Sequence, residues 1–268
     1  MELQSLTKQL TEITKKAGAF IRQESLSFSR EQIEYKDFNN LVSYVDKEAE
    51  KQLVEDLHKL LPEAGFITEE GTTGLQADRS GLNWIIDPLD GTANFIHKLP
   101  VFSVSVGLAD GKNPLAGVIY DINRDECYHA WAGGGAFCNQ DRIRVSPATR
   151  LQESMVATGF PYARFDKIDR YLQILASLMQ KTHGLRRMGS AAIDLAFVAC
   201  GRFEAFYEFN LNSWDMAAGV LLVREAGGIV TDFHGGDEYL FRGDVIAGCG
   251  MQPELLALIE EYWNRADG

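Results

Sequence analysis

The segment Trp84-Ile85-Ile86-Asp87-Pro88-Leu89-Asp90-Gly91-Thr92-Ala93-Asn94-Phe95 constrains the chain more than any other. An apolar run of strand type stops at two aspartates three positions apart. Like charges held close raise one another's pKa and cost stability, so something positive is expected between Asp87 and Asp90. Pro88 has no amide hydrogen for a ladder, which predicts that the strand ends at Asp87. Gly91 and Thr92 then open a short helix or turn. Their amides are expected to point outward, where a phosphate binds. Asp-Gly and Pro also favour turns for local reasons alone, so the segment takes its meaning from what surrounds it.

Helical and strand periods both appear around it. Leu3, Leu6, Leu10, Ile13, Ala17 and Phe20 recur at steps of three and four, an amphipathic helix. Val42, Val45, Ala49, Leu53, Leu57 and Leu60 predict a second, with Ser43 and Asp46 forming its cap and Pro62 closing it. The polar stretch between these helices reads as a hairpin or loop. Phe102, Val104, Val106 and Leu108 alternate with Ser103, Ser105 and Gly107, a strand of period two. AGVIYDI, ECYHAWA and a hairpin turning near Asn139 continue an antiparallel sheet. The second half alternates helices (DRYLQILASLMQK, AAIDLAFVACG, WDMAAGVLLVREAGG, stopped by Gly227 and Gly228, and one from Pro253) with short strands. No repeat or linker interrupts residues 1–268, which predicts one layered α+β unit with a soft division near residue 150.

Charge and cysteine content bound the function. The formal net charge of −12 argues against a nucleic-acid backbone as the main ligand. Acidity fits cation binding and simple solubility equally. The four cysteines show no metal or redox spacing and are read as free thiols of a reducing compartment. The polar stretch MELQSLTKQLTEITKK has no apolar signal core, and no apolar run is long enough to span a bilayer. A cytoplasmic protein without a membrane partner is expected.

Chemistry concentrates in three segments plus Asp46: FITEEG with Glu69 and Glu70, DPLDGT, and NSWDMAAG with Asp215 at a helix start. Hard oxygen donors without His or Cys favour Mg²⁺. Two-metal hydrolysis needs a carboxylate bridging ions about 3.5–4 Å apart, and Asp87 is the candidate. An EF-hand fails because Leu89 and Gly91 occupy ligand positions, and neither an aspartyl-nucleophile D-x-D nor a Walker A loop is present. Trp84 and Trp214 read as core, His97 and His183 as structural or surface residues, and Gly133-Gly134-Gly135-Ala136 as turn chemistry. Glu70 reads as solvated or supporting rather than as a ligand.

With these residues in hand, the chain resembles the inositol monophosphatase family. DPLDGTANF is similar to that family's D-P-[ILV]-D-G-T-x-N-F motif, and WDMAAGVLLVREAGG to its W-D-x-A-A-G…E-A-G-G motif. ITEEG, LVSYVD and GLRRMGSAA match weaker elements, in the same order. The resemblance implies an αβαβα sandwich of the inositol monophosphatase and fructose-1,6-bisphosphatase type, commonly dimeric and lithium-inhibited. It implies two to three Mg²⁺ ions. Glu69, Asp87 and the Leu89 carbonyl would hold the first, and Asp87, Asp90 and Asp215 the second. A weaker third would use Glu69 and waters. Thr92, bonded to Asp46, would orient and deprotonate the attacking water, and the Gly91 and Thr92 amides would hold the phosphate. Asp90 is counted with the catalytic residues as well as the ligands. Glu208 and Ala191 would contact the substrate. Asn40 and Ser43 depart from the Asp and Thr that the family often carries, and Lys36 resembles a loop lysine near the metals.

The implied activity is hydrolysis of myo-inositol 1-phosphate or a related small polyol or sugar phosphate. Histidinol phosphate, fructose 1,6-bisphosphate and 3′-phosphoadenosine nucleotides are alternative substrates. A metal- and phosphate-binding partner in a regulatory complex is the alternative of another class.

Overall fold

The computed structural model describes residues 2–29, 33–37, 40–74, 78–161 and 165–264, with the backbone alone for 33–37 and 40–42. The first half runs α1 (Leu3–Ser27), β1 (Ile33–Asp37), β2 (Asn40–Ser43), α2 (Tyr44–Leu60), β3 (Gly65–Thr68) and β4 (Leu82–Asp90). It continues through α3 (Thr92–Ile96), β5 (Ser103–Asp110), β6 (Asn113–Asp121), β7 (Glu126–Trp131), β8 (Gly135–Cys138) and β9 (Asp141–Ile143). The second half holds β10 (Met155–Thr158), α4 (Ile168–Lys181), β11 (Gly184–Arg186), α5 (Ala191–Ala199) and β12 (Ala205–Glu208). After these come α6 (Ser213–Glu225), β13 (Ile229–Thr231), α7 (Tyr239–Arg242), β14 (Val245–Gly248) and α8 (Gln252–Trp263).

Strands β3 to β9 form a seven-stranded sheet in sequence order. The β3–β4 pair is parallel and the rest antiparallel. A five-stranded sheet of order β11-β10-β12-β14-β13 mixes both senses. Side-chain alternation sorts the first sheet between two helical layers. Trp84, Ile86, Val104, Val106 and Leu108 face the apolar stripes of α1 and α2, including Leu6, Leu10, Val45, Ala49 and Leu53. Ile85, Ile119 and Tyr128 face α5 and α6, whose other side meets Ala157, Phe206 and Ala247 of the second sheet. Tyr171, Ile174 and Leu178 of α4, with Leu255 and Ile259 of α8, close the second sheet from outside. The layers are α, β, α, β, α, as the sequence predicts.

Strand β5, whose sequence alternates with period two, is buried on both faces from Ser103 through Ala109. Its small residues let α6 approach: a Cβ on Gly107 would lie 2.9 Å from the Ala217 Cβ. The strand predicted to end at Asp87 continues to Asp90. Asp87 stands opposite Ser105 and Asp90 opposite Ser103, so three steps on β4 span two on β5. Pro88 sits inside this bulge, where a missing amide hydrogen costs no ladder bond. The partner strand carries the chain past the proline, which local propensity does not foresee.

The four cysteines are free thiols. Among the described residues no helix is long and apolar enough to cross a membrane.

Candidate active site

The bulge is where the site begins. It turns β4 so that Asp87 and Asp90 lie on one side, both nearly fully buried. The Asp87 Oδ1 accepts from the Leu89 amide at 3.0 Å, which folds the bulge onto its own carboxylate. Gly91 follows with φ 96°, in the left-handed region. A Cβ there would lie 2.9 Å from the Val101 carbonyl oxygen, so only glycine makes this turn into α3.

Three helix starts converge on the bulge. Helix α2 opens with a capping box in which the Ser43 amide and hydroxyl both donate to Asp46 Oδ2, at 2.8 and 2.7 Å. The other Asp46 oxygen accepts from the Thr92 hydroxyl at 2.8 Å. The same hydroxyl lies 2.9 Å from the Leu89 carbonyl oxygen. Helix α5 opens at Ser190, whose hydroxyl donates to Asp90 Oδ2 at 2.5 Å, while the Ala192 amide donates to the same oxygen at 2.8 Å. Helix α6 opens with Asp215, whose Oδ2 accepts from the Asn212 amide at 2.6 Å.

These starts bring Asp87, Asp90 and Asp215 together, with one oxygen of each within 4.8 Å of the others. Burial raises the Asp87 carboxyl well above the usual carboxylate range, and Glu69, Asp90 and Asp215 add to it; Glu69 is also hydrogen-bonded to Asp87. Burial raises Asp90 too, opposed by its bonds from Ser190 and Ala192. Asp215 is pushed up to about 8, by burial first and the Asp90 charge second. Four carboxyl groups crowded together, with Asp87 and Asp215 raised by their neighbours' charges and only hard oxygen donors among them, fit a divalent hard cation. Such a cation reverses each of these shifts.

A cavity of about 150 Å³ is lined by Asp90 and Asp215 together with Glu208, Ala191, Arg187, Gly159 and Asp194. Burial pushes Glu208 up to about 8, eased by the Arg187 charge. A Cβ on Gly159 would fall 1.9 Å from a Glu208 oxygen, so the glycine leaves room for that carboxyl. A larger cavity of about 860 Å³ lies elsewhere, between α1 and the β7–β8 hairpin, and contains none of the clustered acids.

The candidate metal, water-activating and substrate residues fall in three adjoining groups. Glu69, Asp87, Asp90 and Asp215 form one cluster; Thr92, Asp46 and the Leu89 carbonyl form a hydrogen-bonded unit beside it; Glu208 and Ala191 line the adjoining cavity. His97 and His183 are exposed, and Trp84 is buried in the core. The side chains of Lys36 and Asn40 lie outside the described residues. Sequence reasoning passed over three contributors: Ser190 on Asp90, Asp194 in the cavity wall, and Glu50. Fully buried Glu50 accepts from the amides of Glu70 and Thr72, both at 2.7 Å, and so ties down the loop after Glu69. Asp194 did leave a signal, as a lone charge in an otherwise apolar helix.

Comparison with known proteins gives the family and the fold. The model of the inositol monophosphatase family matches residues 2–264. The chain is 39% identical over 248 residues to an inositol-1-monophosphatase of Mesorhizobium japonicum, covering 92% of this chain and 93% of the relative. It is 42% identical over 234 residues to the Nus factor SuhB of Escherichia coli K12, covering 87% of each. The crystal structure of the extragenic suppressor protein suhB from Bartonella henselae superposes with a TM-score of 0.89 at 38% identity, over 96% of this chain and 99% of that one.

Proposed function

The chain belongs to the inositol monophosphatase family, and from that premise we propose that it is a Mg²⁺-dependent phosphomonoesterase acting on myo-inositol 1-phosphate or a related small polyol phosphate. One observation carries the reading: three aspartates from the β4 bulge and the α6 start converge within 4.8 Å, beside a threonine hydroxyl bonded to a buried carboxylate.

Glu69, Asp87 and the Leu89 carbonyl would hold one cation, and Asp87, Asp90 and Asp215 a second; a third would rest on Glu69. When bound, such ions offset phosphoryl charge and acidify a coordinated water. The chain's own residues do the rest. The Gly91 and Thr92 amides, at the turn into α3, hold phosphate oxygens. The Thr92 hydroxyl donates to Asp46, which turns its lone pairs toward the incoming water and orients that water. As the water oxygen bonds to phosphorus, its proton passes to Thr92 and the threonine proton passes to Asp46. Burial raises the Asp46 pKa, which suits it to hold that proton. The bond from phosphorus to the leaving oxygen breaks, and the products are inorganic phosphate and an alcohol. No side-chain nucleophile is required.

A phosphate-release assay tests this. The panel is myo-inositol 1-phosphate, histidinol phosphate, fructose 1,6-bisphosphate and a 3′-phosphoadenosine nucleotide, each with and without Mg²⁺. Mg²⁺-dependent release, fastest from the inositol ester, is expected. Turnover of none of them would favour a second reading, a role as an interaction partner. That reading draws on the 42% identity to a protein named as a Nus factor.

A further inference from the structure

Asp194 stands one turn inside α5, a helix buried along its whole length. It is 1% exposed, and its Oδ1 has no hydrogen-bond partner among the described residues. Burial holds its carboxyl well above the usual range; Glu208 and Asp90 push the same way and Arg187 opposes them. An unpartnered oxygen on a buried acid is costly, and any small apolar residue would suit this helix better. Native proteins retain such groups where something outside the chain completes them.

The cavity indicates what does so. Asp194 lines it together with Glu208, Asp90 and Asp215. Asp194 and Glu208 stand outside the acidic cluster of Asp87, Asp90 and Asp215, which leaves them to meet the part of a substrate that leaves, not the phosphate. Carboxyl groups at that position suit hydroxyl groups and repel further anions. The cavity wall is polar there although the helix behind it is apolar, so the acid serves the cavity and not the packing.

We propose that Asp194 is a specificity-determining residue, hydrogen-bonding a hydroxyl of a polyol leaving group alongside Glu208; this rests on the phosphomonoesterase reading above. The Asp194 carboxyl takes the ligand hydroxyl as a partner that the described residues do not supply.

The test uses the whole chain with Mg²⁺ and two esters, myo-inositol 1-phosphate and phenyl phosphate, whose leaving group has no further hydroxyl. The readout is the ratio of their kcat/KM values, with KM and kcat separated, and the Tm of the metal-free protein. Asp194→Ala is expected to lower the ratio about tenfold, through KM, the worth of one hydrogen bond. Asp194→Asn keeps an acceptor oxygen and is expected to restore much of the ratio. Neither variant should lower the Tm. A ratio within about twofold of wild type in both variants would overturn the inference. So would a fall in Tm with equal losses on both esters, the signature of a packing residue. If wild type hydrolyses neither ester, the phosphomonoesterase reading falls and takes the inference with it. If wild type hydrolyses both and only the variants fail to discriminate as expected, this inference alone falls.

Discussion

Helices α2 and α6 begin in the same way and do different work. Each has an aspartate at its third position that accepts the amide of its own cap residue, Asp46 from Ser43 and Asp215 from Asn212. Asp46 is then consumed by the protein: Ser43 adds its hydroxyl, Thr92 fills the other oxygen, and nothing of the side chain is exposed. Asp215 accepts from the Asn212 amide and still offers an oxygen within 4.8 Å of those of Asp87 and Asp90. One local device yields a positioning residue in one place and a candidate ligand in the other. The difference lies in what the fold sets opposite each helix: a threonine hydroxyl for α2, two more carboxylates for α6.

Substitution should separate the two most sharply at Asp215. Asp215→Asn retains the cap acceptor but removes a charge from the cluster. Kcat/KM should fall by more than about 100-fold, since even residues outside the ligand shell cost 10–100-fold, while the metal-free Tm rises above about pH 8, where the Asp215 carboxyl would be charged and its repulsion is relieved. A variant with near-wild-type turnover would remove Asp215 from the site. At Asp46 the stability effect should have the opposite sign. Asp46→Ala strips a cap worth about 1 kcal/mol, leaves the Ser43 donors unpaired and leaves the Thr92 hydroxyl with only the Leu89 carbonyl, so Tm falls together with activity. Thermal melts of the two variants side by side would break the comparison if both moved in one direction.

The smallest effect is expected from pH. Burial and the Asp90 charge push Asp215 up to about 8 in the folded chain, far above the ordinary aspartate value of 3.8. A raised pKa contributes stability below the unfolded value, and that contribution is lost as pH rises through the folded one. The metal-free protein should therefore lose Tm between about pH 4 and pH 8. Mg²⁺ affinity should rise over the same window, because the ligands must be deprotonated. Melts with and without Mg²⁺ across this range would show it; a Tm that climbs toward pH 8 without metal would contradict the crowding of these acids.

Much of this was legible beforehand. The stripes of α1 and α2, the Ser43–Asp46 box, the turn at Asn139 and the stop after α6 are local, and local chemistry predicts them. The motif residues of the site could be named, because Asp87, Pro88, Asp90 and Gly91 make sense together only at a junction. The passage of β4 through Pro88 was not legible, because the ladder bonds belong to β5. Nor was the second buried face of β5, which α6 creates.

The sequence by itself determined which segments coil or extend, where the helices are capped, and which acidic side chains stand near element ends. These depend on neighbours a few residues away. Only the tertiary structure decided which of those acids share a cation-sized space, which spend their oxygens on the chain, and why Asp194 tolerates burial. Proximity and desolvation are set by residues far apart in sequence, and they assign different roles to side chains that look alike in one dimension.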